Sequence, residues 1–268
     1  MRFKLFLLSA AAVLASSANA ADWTGYSGTV TGGYNYSDLD GAANNAFNFG
    51  GAANYALPDT PLNVQGLVNY AENKIDRIAA DTWTSGGAIT WRDPAFVIGF
   101  AGDYNNTKIL GNGLHYGTYG LVGEYYGLDQ LGYGPITLRL NGGGLSGSFA
   151  GFSGDGGYYG GGASYYFQPR LALNVSGSYA TVSNLRWSTF ETGLKYLPSD
   201  TLPVTIEAAY QHSNVGFLGG STHTDGLMIR LAYHFNQGST LVDIDRNGPI
   251  ATGSPALPYA VLSRAIPE

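Results

Sequence analysis

The sequence contains no cysteine and only two methionines, and charged residues make up 12% of it. Without thiols, no disulfide can staple an exported chain and no thiolate metal site is available. Soluble domains carry about a quarter charged residues, so this chain is short of the groups that coat a water-facing surface. Basic residues are outnumbered by acidic ones, 13 against 19. That balance argues against nucleic acid as a partner and leaves no basic patch for anionic lipid. The long apolar run at the N-terminus, "LFLLSAAAVLA", is about a dozen residues, shorter than the roughly 20 that a helical membrane span needs.

That run has a different meaning. It follows the positive start "MRFK" and precedes the small-residue stretch "SSANA", the three parts of an export signal. The pattern predicts cleavage after Ala20. Losing Arg2 and Lys4 with the leader takes the net charge from −6 to about −8.

Glycine (40 residues) and tyrosine (20) are abundant, and they fall into strands. In "WTGYSGTVTGGYNYSD" (23–38), Tyr26, Gly28, Val30, Gly32, Tyr34 and Tyr36 share one face, with Ser27, Thr29, Thr31 and Asn35 on the other. Successive strand residues point to opposite faces, so one face is aromatic or small and the other polar. The alternation recurs in Phe47–Leu57, Val64–Tyr70, Phe96–Tyr104, Tyr119–Tyr125, Leu171–Tyr179, Val204–Tyr210 and Leu227–Phe235. With weaker segments near 82–91, 132–148, 157–167 and 187–196, about twelve strands are expected and no sustained helical period. The run from Asn141 to Gly162 is the hardest to assign, because eleven of its 22 residues are glycine.

Connections alternate in character. "LPDTP", "RDPA", "GYGP", "QPR" and "LPSDTLP" each contain proline. The six between them, "SDLDGAANN", "ENKIDRIAADT", "YNNTKILGNG", "GFSGDGG", "TVSNL" and "SNVGFLGGSTHTDG", contain none and are mostly longer and more polar. In an up-and-down meander alternate connections lie at opposite ends, and proline suits the tight one. Aromatics sort the same way. Tyr26, Tyr55, Trp91, Phe96, Tyr125, Tyr133, Phe167, Tyr196 and Phe235 lie near the proline end. Tyr34, Tyr36, Phe47, Tyr70, Trp83, Tyr104, Tyr119, Tyr179, Trp187 and Tyr210 lie near the other. Two aromatic belts around an aliphatic band are what two lipid–water boundaries require.

The chain thus resembles a Gram-negative outer-membrane β-barrel of the small porin or OmpA-like kind. The likeness rests on the export signal, the alternating strands and "MIRLAYHF" (228–235), whose Tyr233 and Phe235 match the terminal-strand signal of that class. It implies an all-β, transmembrane up-and-down antiparallel β-barrel of about 12 strands in a bacterial outer membrane. The division expected is signal peptide 1–20, barrel 21–235 and C-terminal tail 236–268. The implied partners are outer-membrane lipid, small hydrophilic solutes, and the barrel-assembly machinery through the Tyr233–Phe235 strand. Such barrels usually end at that phenylalanine. Here 33 residues follow, rich in Pro, Ala and Gly, which suit a periplasmic tail or a segment tucked under or into the barrel.

On this topology the inward charges are Arg92, Asp103, Glu124, Arg139, Glu191, Lys195, Glu207 and Arg230. They are either a selective constriction, as charged rings are in pores, or an ion-pair network filling the barrel. Glu124 and Arg139 are placed to pair, and Lys195, Glu207 and Arg230 lie on three consecutive strands. Small inward residues such as Gly50, Ala52, Gly120, Gly162, Ser176 and Ser178 favour an open, porin-like channel. The alternative is a closed structural or adhesion barrel with partner-binding outer loops. A lipid hydrolase comes third: in "YQHSN" (210–214) His212 and Ser213 are adjacent and so point to opposite faces. The four histidines show no metal-ligand spacing, no cofactor is expected, "STHTD" (221–225) is a polar loop, and "VDIDRNG" (242–248) is an Asx-rich turn.

Overall fold

The structure, a computed structural model, describes residues 25–39, 42–75, 78–109, 112–132, 134–149, 152–217, 220–253 and 255. The expected signal segment 1–20, Tyr133 of the expected inner belt and the tail beyond Pro255 lie outside the described residues. Twelve antiparallel strands form a closed barrel. They are β1 (Tyr26–Leu39), β2 (Ala42–Ala56), β3 (Leu62–Ile75), β4 (Ile78–Arg92), β5 (Phe96–Ile109) and β6 (Asn112–Tyr125). The second half holds β7 (Ile136–Phe149), β8 (Phe152–Gln168), β9 (Leu171–Val182), β10 (Leu185–Tyr196), β11 (Val204–Phe217) and β12 (Gly220–Phe235). Each strand pairs with its sequence neighbour, and β1 closes on β12 from Gly28↔Phe235 to Asp38↔Asp225. Closure leaves no sheet edge, which backbone in lipid demands.

The expected faces are the observed ones. Val68, Ile89, Ile98, Phe100, Leu121, Leu140, Leu227 and Ile229 stand exposed on the outside, Leu140 at 72%. Thr, Ser, Asn and the charged residues between them are turned inward, many fully buried. The aromatic belts hold with one exception. Trp187 is inside, 2% exposed, with its indole edge-on to Tyr116 at 6.2 Å between centroids. It shares strand parity with Glu191 and Lys195, so a register that turns those charges inward takes Trp187 with them.

The proline-free connections are far shorter than expected. Between paired strands only 40–41, 76–77, 110–111, 150–151, 183–184 and 218–219 remain. "STHTD" accordingly lies inside β12 and not in a loop. Above the outer aromatic belt the outward face meets water instead of lipid, so the pairing continues after the apolar alternation that signals it has stopped. The glycine run pairs without a break, from Ile136↔Tyr165 to Phe149↔Phe152. One bulge, between Tyr166 and Gln168, interrupts β8 against β9.

The core is inside the barrel. Leu114, Tyr116, Leu145, Tyr158, Trp187 and Val215 form an apolar layer in the outer half of the lumen. A second element fills the inner half: "VDIDRNG" is not a turn but part of a helix, α1 (Leu241–Asn247). Thr240 caps it by accepting from the Asp243 N–H at 3.1 Å, and Gly248 ends it. Asp243 in its first turn and Arg246 in its last suit the helix dipole. Leu241 and Ile244 bury against Tyr166, Ala172 and Leu197 of the wall and its turns.

Candidate functional site in the barrel lumen

Past α1 the chain climbs the lumen along β3–β6. Arg92 at the end of β4 donates to the Gly248 carbonyl at 2.9 Å. Gln65 of β3 makes two hydrogen bonds to the Ile250 backbone, at 2.7 and 2.8 Å. Thr252 donates to Asp103 Oδ2 at 2.7 Å, and Tyr116 donates to the Pro255 carbonyl at 3.3 Å. Ser27 of β1 holds the Asn247 carbonyl at 2.9 Å. Almost every polar anchor of this segment is therefore a wall side chain that sequence alternation turns inward.

The eight inward charges divide into two groups. Arg92 and Asp103 bind the climbing segment as described. The other six join one network around the wall. Arg230 on β12 contacts Glu207 on β11 at 2.7 Å and Glu191 on β10 at 3.5 Å. Glu207 accepts from Asn174 at 2.7 Å, and Asn174 in turn accepts from Ser164 at 2.7 Å. Arg139 on β7 donates to Ser164 at 2.6 Å and to Glu124 on β6 at 3.2 Å. Tyr126 donates to the other oxygen of Glu124. The expected Glu124–Arg139 contact forms; of the three charges on consecutive strands Glu207 and Arg230 pair, while Lys195 turns to a residue the sequence did not suggest.

That residue is Asp245 of α1. Lys195 Nζ lies 2.6 Å from its Oδ1, Tyr166 donates to Oδ2 at 2.8 Å, and Arg139 Nη2 lies 3.6 Å from Oδ2. Burial pushes the Asp245 carboxyl up, but Lys195, Arg139 and the hydrogen bonds outweigh it and hold the group below the ordinary carboxylate range. Next to it Arg246 forks onto both oxygens of Asp129 in the β6–β7 connection, at 2.7 and 3.1 Å. The guanidinium also lies 4.8 Å from the centre of the Tyr126 ring. For Asp129, too, burial raises the carboxyl while Arg246 and the Ile136 N–H bring it below the ordinary range.

Beside the segment a cavity of about 630 Å³ stays open, lined by strands from both sides of the barrel and by Ile244, Asp245, residues 248–253 and Pro255. Its wall carries hydroxyls and amides, among them Thr31, Asn69, Ser176, Thr189 and Gln211, together with charges of both signs. Such a lining wets and can pass or hold polar solutes. The hydrolase pair does not assemble: His212 is 41% exposed on the outside with Asp225 at 2.8 Å, and Ser213 is 2% exposed on the inside. Among the described residues no group of three or more His, Cys, Asp or Glu is placed to hold a metal ion.

No protein-family model and no curated protein matches the chain. Three solved structures similar to it are distant in sequence. One is the translocator domain of autotransporter NalP from Neisseria meningitidis, 10% identical over 83% of this chain and 92% of that one, with a TM-score of 0.46. Another is the KdgM porin, 10% identical over 77% of this chain and 100% of that one, TM-score 0.46. A third is an anion-selective porin from Comamonas acidovorans, 9% identical over 78% and 98%, TM-score 0.44. The likeness is one of barrel fold alone. Closed antiparallel pairing, an apolar exterior and a polar lumen are the architecture of an outer-membrane β-barrel.

Proposed function

We propose that the protein is a porin-like channel of the bacterial outer membrane for small hydrophilic solutes, exported through its segment 1–20. The observation that carries this is the polar cavity of about 630 Å³ running beside the C-terminal segment. Twelve strands enclose more space than the 8-stranded barrels that side chains fill, and here part of that space stays open and carries polar groups beside the segment. In this reading Arg92, Asp103, Glu124, Arg139, Glu191, Lys195, Glu207 and Arg230 set selectivity, and the segment 236–255 narrows the path. The terminal strand with Tyr233 and Phe235 is the feature that barrel-assembly machinery would recognise. The role is transport and not catalysis. Purified protein in planar bilayers is expected to give discrete current steps at high salt. Steps that stay absent, also in the Asp245→Lys variant that loosens the segment, would end the channel reading.

A closed structural barrel is the competing reading, and one observation favours it. The apolar layer around Leu145, Tyr158 and Trp187 occupies the outer half of the lumen, where a water path must pass. The same bilayer experiment separates the two, because a barrel sealed by that layer stays silent whatever happens to the segment.

A further inference from the structure

Lys195 holds an unusual position among the wall charges. It stands directly opposite Glu207 in the β10–β11 register, yet Glu207 is spent on Arg230 at 2.7 Å and on Asn174 at 2.7 Å. Glu191 leans to Arg230 as well, and Glu124 to Arg139. Among the described residues the ion pair of Lys195 is with Asp245 alone. An ammonium buried this far needs an anion, and the wall supplies none.

Two of the three groups around Asp245, Arg139 and Tyr166, are positioned without its help. Arg139 is held by Glu124 and Ser164, and the Tyr166 hydroxyl lies 3.2 Å from Thr137 Oγ1. Their donors converge on both oxygens of one carboxylate, Lys195 on Oδ1 and Tyr166 with Arg139 on Oδ2. Two-oxygen recognition suits a planar carboxylate better than a spherical halide. Lys195, Arg139 and Asp245 all line the open cavity, so a dissolved molecule can reach the same donors.

We propose that Lys195, Arg139 and Tyr166 form a binding site for a small carboxylate solute, and that the Asp245 side chain occupies it as a tethered stand-in. When α1 withdraws, a solute carboxylate replaces Asp245 and satisfies Lys195. When no solute is present, the segment returns. The use of the site in transport rests on the channel reading; the binding itself does not.

The test uses the full chain carrying Asp245→Ala, folded in detergent, with acetate as the probe. The substitution removes the carboxyl group and keeps the β-carbon, so acetate brings the carboxylate back with one extra methyl, which the adjoining cavity can take. Replacing chloride by acetate at equal ionic strength is expected to raise the thermal midpoint of Asp245→Ala saturably, by roughly 2–4 °C. The wild type should not respond, since its own carboxylate fills the site, and neither should Lys195→Ala/Asp245→Ala. Equal behaviour in acetate and chloride, or a rise that survives the loss of Lys195, overturns the proposal. If Asp245→Ala does not fold in chloride, its folding yield becomes the readout. Recovery in acetate alone supports the site, and no recovery while Asp245→Asn folds refutes it. Silent bilayers together with a clear acetate effect would sink the channel and leave the site standing.

Discussion

Lys195 Nζ of β10 lies 2.6 Å from Asp245 Oδ1 of α1, and this contact ties the C-terminal segment to the barrel wall. Breaking a buried pair from one side costs roughly 3–5 kcal/mol, because the remaining charge is stranded. Lys195→Asp or Asp245→Lys alone is expected to loosen the segment and raise single-channel conductance. The double exchange, Lys195→Asp with Asp245→Lys, restores opposite charges and should bring conductance back toward the wild-type level. Equal conductance in all four proteins would show that the pair does not hold the segment.

Acid should act on the same anchor. Asp245 and Asp129 both titrate below the ordinary carboxylate range once folded. A depressed folded value contributes stability that is fully present above the unfolded value and disappears as pH falls through the folded one. The loss therefore begins near the ordinary carboxylate value of about 4 and completes below it. Neutralising Asp245 frees Lys195, and neutralising Asp129 frees Arg246. Conductance recorded between pH 7 and pH 3 is expected to rise only in the acid part of that range. In Asp129→Asn/Asp245→Asn the acid-dependent rise should be much reduced.

The wall network makes a separate prediction about ions. Arg139 and Arg230 are the two arginines that border the cavity next to Glu124, Glu191 and Glu207. Arg230→Glu or Arg139→Glu places three or more carboxylates together and should shift the zero-current potential toward cation selectivity under a salt gradient. It should also lower stability, because Glu207 loses the donor now at 2.7 Å. An unchanged reversal potential would mark these residues as structural filling.

Much of this is legible in the sequence, and the exceptions have physical causes. Period-two alternation assigns strands and faces wherever one side meets lipid and the other water, as from Tyr26 to Tyr36. Above the outer belt the outward face meets water instead of lipid, so Ser213–Phe217 continue β11 with no apolar outward face to mark the strand. Trp187 reads as a belt residue by its aromatic character, although Glu191 and Lys195 fix its parity and turn it inward. Six of the eight inward charges fall into one network, because inward charges at similar height must find one another. Asp245 lay hidden in a seven-residue helix too short to show a period. Its one trace is Thr240 three residues before Asp243, with Gly248 beyond, the spacing of a capped helix.

Trp187 permits a test of the outer apolar layer. Its ring is buried against Tyr116, while its indole Nε1 has no hydrogen-bond partner among the described residues. Phenylalanine keeps most of the packing and removes an unsatisfied donor, so Trp187→Phe should be close to neutral. Trp187→Ala removes the packing and leaves a cavity, at about 3–5 kcal/mol. Urea midpoints of the folded barrel in detergent should separate the two variants. If the layer also seals the lumen, Trp187→Ala should conduct more than Trp187→Phe.

Two glycines of the barrel wall should respond in opposite ways to the same methyl group. Gly143 on β7 faces Gly120 on β6 across a directly paired position. A Cβ at Gly143 would lie 2.0 Å from the Tyr119 carbonyl oxygen and 2.5 Å from the Gly120 Cα. Both neighbours are backbone, so the two strands would have to separate, at the cost of ladder hydrogen bonds that lipid cannot replace. Gly66 on β3 points outward, and a Cβ there would meet nothing within 4 Å. Gly143→Ala is expected to lower the yield of folded barrel sharply, seen as loss of the fast-migrating unheated band on a denaturing gel. Gly66→Ala should fold like the wild type and add a little apolar surface facing lipid. A Gly143→Ala barrel as stable as Gly66→Ala would mean that β6 and β7 do not approach as closely as the paired glycines permit.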